Sequence, residues 1–350
     1  MQVSSRIAAM SSYLAFRYVV YPDAEFSENV APVPLNQYTY ETHQVFQSSD
    51  IDRIIQEVLG KCDWNSTGIL LSGGIDSAIL AAYVPRGTKA YTIRFIAENA
   101  IDESLASIQY ADKYHLDLHI VDVSFQDYLN VAPLLMKARK CPLHQIECAV
   151  YRAASVAKSQ GINALVMGNG ADYLFGGLDK LLSREWSFDE LVNRYTIVQP
   201  KDALKQYHPI EDAYEPFRIG ENGIDLLGFL KDVHGICSIP SFANPLKVAG
   251  IKPIEPYEHM ELGVPLDLNR IRQGESKYLI RELFSSKYPE FAIPDKIAFA
   301  RPMDQWLCDY TSPSRSEFIR NCAKNMTGDQ KWLVFCLEWF LNLIDSGEIA

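Results

Sequence analysis

The sequence predicts an α/β protein with a doubly wound parallel sheet and a mostly helical C-terminal part. Between residues 61 and 177, short apolar runs with the character of buried strands alternate with segments whose apolar residues recur at helical spacing. Such alternation is typical of a parallel sheet with helices on both faces. Two of the runs end in glycine-rich turns, at the strand ends where parallel sheets bind ligands. Residues 178–350 lack the alternation, and we expect them to complete the protein as a second, mostly helical part.

Residues 1–60 form the segment ahead of this core. From residue 12 to about residue 46, aromatic residues, prolines and alternating polar positions predict strands and extended backbone. Apolar residues at 51–59 then recur at helical spacing, which predicts a helix just before the core begins.

The core elements are predicted in the following order. Strands are expected at residues 68–71, 90–95, 116–123 and 164–167. Helices are expected at residues 77–83, 102–114 and 145–159, the second of them capped by Asp102. A last helix is expected at residues 332–344, which contains Glu338 and is too short to span a bilayer, so no membrane partner is expected.

Composition narrows the class of protein and its partners. The chain has 33 basic and 44 acidic residues, a formal net charge of −11. A chain this acidic repels phosphate backbones, so nucleic acid is not an expected partner. The seven cysteines are scattered and include no CxxC pair, which is typical of reduced thiols. With no secretory signal pattern in the sequence, we expect a cytoplasmic protein.

The turn SGGIDS, residues 72–77, carries the groups needed to hold a pyrophosphate. Its glycines let backbone N–H groups approach phosphate oxygens, and the following helix presents its N-terminus. Ser72 and Ser77 add hydroxyl donors. Asp76 would repel phosphate unless a cation lay between them, so the carboxylate predicts Mg²⁺. The alternative role for Asp76 is a helix cap in an ordinary tight turn.

A second turn, MGNGADYLFGG at residues 167–177, again places glycines and a carboxylate at a strand end. The carboxylate is Asp172. Because parallel strands end at the same edge of a sheet, Asp76 and Asp172 could share one magnesium–pyrophosphate group. A helix cap is the alternative role for Asp172 as well.

These two turns resemble the SGGxDS loop and the GEGADELFGGY segment of the synthetase domain of the asparagine synthetase family, a branch of the ATP pyrophosphatases. Weaker likenesses follow in the family's order, namely Asp102-Glu103 with Ala106, His119, the stretch ESKYLIR at residues 275–281, and Lys296 with Phe299. The resemblance covers about residues 65–310. It implies an adenine nucleotide alpha-hydrolase-like, Rossmann-like fold that uses ATP and Mg²⁺.

The resemblance also implies a role for each matching residue. The groups that would hold the β,γ-phosphates and magnesium are Ser72, Gly73, Gly74, Asp76 and Ser77. Leu71, Ile93 and Gly168 would line the adenosine. Asp172 would be the second metal carboxylate, and Lys296 would reach the α-phosphate and the reacting carbonyl, so these two are the expected catalytic residues. Lys277 is expected to support the structure or to contact phosphate from the rim.

The implied reaction is amide formation driven by ATP. A substrate carboxylate would be adenylated with release of pyrophosphate, and ammonia or an amine would then displace AMP. Residues 1–60 resemble the end of the family's glutaminase domain, so we expect the nitrogen to come from free ammonia, an amine substrate or a separate glutaminase. Nothing in the sequence names the acid, although Arg94, Arg301 and Lys252 could each pair with its carboxylate.

Three positions depart from the family pattern. Asn169 and Tyr173 stand where the second motif has glutamates, and Pro294 replaces an arginine beside Lys296. Asparagine cannot accept a proton usefully at neutral pH, so any general base lies elsewhere or the nucleophile arrives neutral. Two alternatives therefore stay open, an intramolecular synthetase that closes a β-lactam or macrocycle, and a non-catalytic nucleotide-binding homologue. A tRNA-modifying ATP pyrophosphatase is disfavoured by the acidic composition.

Overall fold

The computed structural model describes residues 5–35, 40–294 and 301–350. Its strands are β1 (His43–Val45), β2 (Thr67–Leu70), β3 (Lys89–Phe95), β4 (Asp117–Val123), β5 (Ala164–Val166), β6 (Arg218–Ile219), β7 (Gly223–Ile224), β8 (Lys252–Ile254) and β9 (Met260–Leu262). Five of them form one parallel sheet in the order β4-β3-β2-β5-β8. The pairs β1–β9 and β6–β7 form two small separate sheets.

Helices surround the central sheet. In chain order, the helices up to residue 203 are α1 (Ser5–Phe16), α2 (Ser48–Leu59), α3 (Ile75–Ala81), α4 (Ser104–Tyr114), α5 (Phe125–Arg139), α6 (Glu147–Ser159), α7 (Ala171–Leu174), α8 (Asp179–Leu182), α9 (Phe188–Tyr195) and α10 (Pro200–Ala203). The later helices are α11 (Leu226–Phe229), α12 (Gly235–Ser238), α13 (Pro240–Ala249), α14 (Leu268–Arg272), α15 (Tyr278–Lys287), α16 (Met303–Trp306) and α17 (Gly328–Asp345). Four short 3₁₀ or π turns lie among them in the described part of the chain.

Both faces of the sheet are buried, as a doubly wound fold requires. Alternate residues of β3 show this, because Tyr91 and Ile93 belong to one apolar core and Ala90 to the other. Helices α1, α5, α6 and α17 contribute to the first core, and α2, α3, α4 and α15 to the second. The predicted fold class is therefore confirmed, including the mostly helical C-terminal part.

The strand order locates the functional edge of this sheet. Strand β2 pairs with β3 on one side and with β5 on the other. The chain therefore adds strands toward one edge as far as β4, and then crosses back to place β5 on the opposite side of β2. In parallel sheets, ligands bind in the crevice outside such a switch point. Both glycine-rich turns, at residues 72–77 and 167–177, begin at the carboxyl ends of these two strands.

The structure corrects the prediction of strands and extended backbone over residues 12–46. Helix α1 continues through Phe16, and strand β1 occupies only three residues. Every residue from 9 to 16 in α1 is buried. A helix covered on all sides has no polar face, so its sequence lacks the period that reveals an amphipathic helix.

Two further elements were not predicted. Helix α5 begins with a capping box in which Asp127 N donates to Ser124 Oγ and Ser124 N donates to the Asp127 carboxylate, but Pro133 interrupts its helical pattern. Strand β8 is three residues long and contains Pro253, which an edge strand tolerates. Through β8, residues 178–350 contribute one strand to the central sheet. The division of the chain into two parts at residue 177 stays a prediction. None of the helices in the described residues has the length and hydropathy needed to cross a membrane.

Candidate active site

The first loop leaves the sheet after β2 and enters α3. Its start is fixed by a hydrogen bond from Leu71 N to the Tyr91 carbonyl oxygen at 2.8 Å. Ser77 Oγ accepts from Ser72 N at 3.0 Å and lies 2.9 Å from Ser72 Oγ. The Ser77 hydroxyl is thus held inside the turn, where it shapes the loop, and the loop backbone between the two serines arches over it.

Two glycines are required by close packing around this loop. A Cβ on Gly73 would lie 3.1 Å from the Glu103 carbonyl oxygen at the start of α4. On Gly168, it would lie 3.2 Å from both the Cβ of Asp76 and the backbone nitrogen of Ser77. The second loop therefore touches the first, as the pairing of β5 with β2 demands. A Cβ at Gly168 would require the first loop to shift by a few tenths of an ångström.

Lys277 joins the two predicted carboxylates. Its Nζ donates to Asp76 Oδ2 at 2.5 Å and lies 2.8 Å from Asp172 Oδ1. The lysine side chain is 7% exposed, against 20% for Asp76 and 50% for Asp172. Burial lowers the pKa of Lys277, but the two negative charges outweigh burial and leave that pKa raised above its usual value. The ammonium therefore stays charged.

The surroundings of Lys277 fix this contact. Lys277 precedes α15 with a left-handed φ of 53°, and α15 packs against α2 and α3. A Cβ on Gly177 would overlap both the Asp172 carboxylate and the lysine side chain. From the sequence, Lys277 was expected to support the structure or to contact phosphate from the rim, and the structure places its ammonium between the two carboxylates. The available signal was the stretch ESKYLIR at residues 275–281.

The carboxylate pair fits a magnesium ion that also binds phosphate. Asp76 and Asp172 converge on one cation, the Lys277 ammonium, so their negative charges already face a shared position. In the described part of the chain, no group of three or more His, Cys, Asp or Glu side chains is placed to hold a metal. One or two carboxylates completed by phosphate oxygens and water is the usual ligand set of Mg²⁺ at nucleotide sites.

Both loops open into one large cavity of about 1150 Å³. Nine predicted site residues line it: Leu71, Ser72, Gly73, Gly74, Asp76, Ser77, Ile93, Gly168 and Asp172. Their individual roles stay predictions. Pockets for drug-sized ligands span about 300–1,000 Å³, so this cavity has room for a nucleotide and a second substrate. Lys296, the other expected catalytic residue, falls outside the described residues.

Two of the three departures from the family pattern, Asn169 and Tyr173, each contact a glutamate from the segment after β8. Asn169 Nδ2 donates to Glu255 Oε1 at 2.8 Å, and the Tyr173 hydroxyl donates to Glu258 Oε2 at 2.5 Å. Burial raises the pKa of Glu258 and that of Tyr173. The site therefore has two carboxylates beside the second loop that the sequence pattern did not reveal, because they come from 80 or more positions further along the chain.

The three candidates for holding the acid substrate differ in position. Arg94 on β3 forms an ion pair with Asp122 on β4, in which Nε donates to Oδ1 at 2.7 Å and Nη2 donates to Oδ2 at 3.0 Å. Lys252 is exposed on the edge strand β8. Arg301 alone of the three lines the cavity, where its Nη2 lies 2.9 Å from Asp329.

Comparison with known proteins finds similarity over part of this chain. Residues 65–218 match the family described as asparagine synthase. Amidase chry2 of Gibberella zeae is 29% identical over 129 residues, which cover 32% of this chain and 19% of that protein. The glutamine-hydrolyzing asparagine synthetase 2 of Oryza sativa subsp. japonica is 25% identical over 165 residues, 43% of this chain and 26% of that protein. The matches thus span about a quarter or less of these relatives.

Two solved structures are similar at low scores. The U34-tRNA thiolase NcsA of Methanococcus maripaludis is 16% identical with a TM-score of 0.31, over 89% of each chain. The NMN synthetase of Francisella tularensis is 11% identical with a TM-score of 0.26, over 73% of this chain and 99% of that one. At these scores neither structure adds to the assignment. The asparagine synthase match confirms the resemblance that the two loops predicted, for the synthetase domain alone.

Proposed function

We propose that this chain, whose residues 65–218 match the asparagine synthase family, is an ATP-dependent amide-forming ligase. In the proposed reaction, an oxygen of a substrate carboxylate attacks the α-phosphorus of ATP and pyrophosphate leaves. Ammonia or an amine then attacks the acyl carbon, loses a proton and releases AMP, which leaves an amide. The observation that carries this proposal is the convergence of the two loops, with Asp76, Asp172 and Lys277, on one cavity.

The first loop would hold the departing pyrophosphate. Its backbone N–H groups and the Ser72 hydroxyl line the cavity, and backbone donors of this kind bind phosphate without reorganising. Asp76 and Asp172 would hold Mg²⁺, which when bound neutralises charge on the phosphates. Leu71 and Ile93 would cover the adenosine from the sheet.

Lys277 would have two tasks at this position. In the free protein its ammonium keeps the two carboxylates together in spite of their mutual repulsion. With nucleotide bound, a buried ammonium beside the pyrophosphate stabilises the charge that develops on the leaving group. Lys296 is proposed to stabilise the charge on the α-phosphorus and on the tetrahedral carbon. Loss of one such donor typically lowers the rate by about two to three orders of magnitude.

The nitrogen donor is proposed to be free ammonia, an amine substrate, or ammonia from a separate glutaminase. Asn169 cannot take the proton of the nucleophile, and it donates its amide to Glu255 instead. A neutral nucleophile such as ammonia needs no base at that position. The second candidate function is a non-catalytic nucleotide-binding homologue, which the replacements at Asn169 and Tyr173 favour.

Acid-dependent exchange of pyrophosphate into ATP tests the proposal. The protein is incubated with Mg²⁺, ATP, labelled pyrophosphate and one acid of a panel at a time, without any amine. Label should enter ATP only with the acid that is the substrate, because adenylation is reversible while pyrophosphate is present. The Asp76→Asn variant is the control and should show no exchange. ATP binding without exchange for any acid would favour the non-catalytic candidate.

A further inference from the structure

The cavity extends beyond the two loops to a basic end built largely outside residues 65–218. This basic end is lined by Arg17, His144, Tyr195, His234, Arg301 and Asp329. Arg17 follows α1, and Arg301 and Asp329 come from the last fifty residues of the chain. The two loops are assigned to the phosphates, and Leu71 and Ile93 to the adenosine. ATP is therefore not expected to occupy this end of the cavity.

Arg17 occupies an unusual backbone position. Its φ is 61°, in the left-handed region, and its backbone nitrogen donates to the Tyr13 carbonyl oxygen at 2.8 Å to close the end of α1. Glycine is the favoured residue at such a helix end, because any other side chain is strained there. A strained arginine whose side chain enters a cavity indicates that the guanidinium itself is needed.

The guanidinium of Arg17 has fewer acceptors than it can use. Its Nη1 lies 3.1 Å from His144 Nε2, and its Nε is buried without a hydrogen-bond partner. No ion pair joins Arg17 to a carboxylate of residues 5–35, 40–294 or 301–350. His144 Nδ1 also accepts, from Ile146 N at 3.2 Å. A neutral imidazole has only one acceptor nitrogen, so these two contacts with His144 cannot both be satisfied.

At the basic end, two guanidinium groups face a single carboxylate, that of Asp329, among the described residues. Arg301 pairs with Asp329, with Nη2–Oδ2 at 2.9 Å and Nε–Oδ1 at 3.3 Å, which leaves the charge of Arg17. Burial lowers the pKa of Arg17 and the charge of Arg301 lowers it further, and the Asp329 carboxylate offsets this only in part. Burial, followed by the charge of Arg17, holds the pKa of His144 well below its usual range, so this imidazole is neutral. A partly buried cation whose Nε is shielded from solvent without a hydrogen-bond partner is stabilised by a bound anion.

We propose that Arg17, supported by Arg301, binds a second anionic group of the acid substrate, and that the substrate is therefore an acid with a carboxylate or phosphate at its other end. This inference rests on the proposed ligase function. The anchored group would lie at the basic end while the reacting carboxylate faces the α-phosphate at the two loops. Phe16, Ile146 and Val150 also line the cavity, and such side chains suit an apolar connecting chain.

The Arg17→Gly variant tests this assignment without threatening the fold. Glycine relieves the left-handed strain while it removes the charged side chain, so the variant should be about as stable as the parent protein. Arg94→Gln is the control, because Arg94 pairs with Asp122 away from the lining of the cavity. Binding is measured by calorimetry with Mg²⁺ and the α,β-methylene analogue of ATP saturating, so that no turnover is needed.

The probes are succinate, glutarate and 3-phosphonopropionate, compared with butyrate and valerate as mono-anions of matched length. We expect at least one di-anionic probe to bind tenfold or more tightly than its mono-anionic match. That preference should disappear in Arg17→Gly and persist in Arg94→Gln, with nucleotide affinity unchanged in both. Succinate or glutarate as the preferred probe would indicate a second carboxylate, and 3-phosphonopropionate a phosphate. Equal binding of mono- and di-anions, or an unchanged preference in Arg17→Gly, would overturn the proposal.

Failure of this inference and failure of the ligase proposal give different results. If the ligase proposal is wrong, no acid supports pyrophosphate exchange, while the binding preference still decides the role of Arg17. If only the Arg17 assignment is wrong, an acid supports exchange and Arg17→Gly leaves its KM unchanged. If both proposals hold, Arg17→Gly raises the KM for the acid tenfold or more and leaves kcat within a few-fold.

Discussion

Replacing Lys277 with methionine removes the only cation that the structure places between Asp76 and Asp172 among the described residues. Methionine keeps most of the apolar stem, so the change is mainly one of charge. The lysine is buried, with its Nζ 2.5 Å from Asp76 Oδ2 and 2.8 Å from Asp172 Oδ1. In the variant the two carboxylates lose the ammonium that contacts them both, and the free energy of unfolding should fall.

The size of this loss follows from the exposure of the partners. Removing one member of a fully buried ion pair costs about 3–5 kcal/mol, and an exposed pair contributes about 0–1 kcal/mol. Asp76 is 20% exposed and Asp172 is 50% exposed, so we expect an intermediate loss of about 2–4 kcal/mol. For a chain of this length, that corresponds to a decrease of about 3–5 °C in Tm.

Magnesium separates this explanation from simple misfolding. Without nucleotide, millimolar Mg²⁺ at constant ionic strength should raise the Tm of Lys277→Met toward that of the parent protein, because the carboxylates can then share the metal. The parent protein should respond little, since Lys277 already fills that role. Lys287→Met is the matched control on α15, where Lys287 pairs with Asp52 at 3.0 Å near the surface. It should lose about 1 kcal/mol or less and show no magnesium effect. An unchanged Tm for Lys277→Met, with no response to Mg²⁺, would refute the shared cation site.

Further predictions concern the same region. Asp76→Asn should bind ATP without the gain in affinity that Mg²⁺ gives the parent protein, as measured by calorimetry; a normal gain would show that Asp76 holds no metal. Gly177→Ala should abolish acid-dependent pyrophosphate exchange, because the added Cβ overlaps the Asp172 carboxylate. Gly235→Ala should retain exchange, because its Cβ would make only an ordinary contact with the Leu230 carbonyl oxygen at 3.8 Å. Burial raises the pKa of Glu258 above 4.5, the ordinary glutamate value. The folded chain therefore binds the carboxyl proton of Glu258 more tightly than the unfolded chain does, and it loses stability as the pH rises above 4.5. Glu258→Gln should therefore flatten the decline in stability above this pH in urea titrations, and an unchanged slope would count against a buried carboxylate.

Features that depend on residues close together in the sequence were predictable. Strands β2 to β5 and both glycine-rich loops follow from apolar runs and from glycines and carboxylates only a few positions apart, and the order of strands in a parallel sheet brings the loops together. The family match then confirmed the likeness of residues 65–218 to the synthetase domain.

Features that depend on distant packing were not predictable. Lys277 lies between the carboxylates only because α15 packs against α2 and α3, which no local pattern shows. Glu255 and Glu258 reach the second loop because β8 adds to the sheet edge, and three residues containing Pro253 do not resemble a strand. Arg17 was hidden because α1 is buried on all sides, so the sequence did not reveal the helix that carries it.

The most direct test of the central claim is the identity of the nucleotide products. The protein is incubated with Mg²⁺, ATP, ammonium and the acid that supports pyrophosphate exchange, and the products are resolved by ³¹P NMR. We expect AMP and pyrophosphate in equal amounts, dependent on the acid and absent with Asp76→Asn. ADP and phosphate as the products would contradict adenylation of a carboxylate at this site.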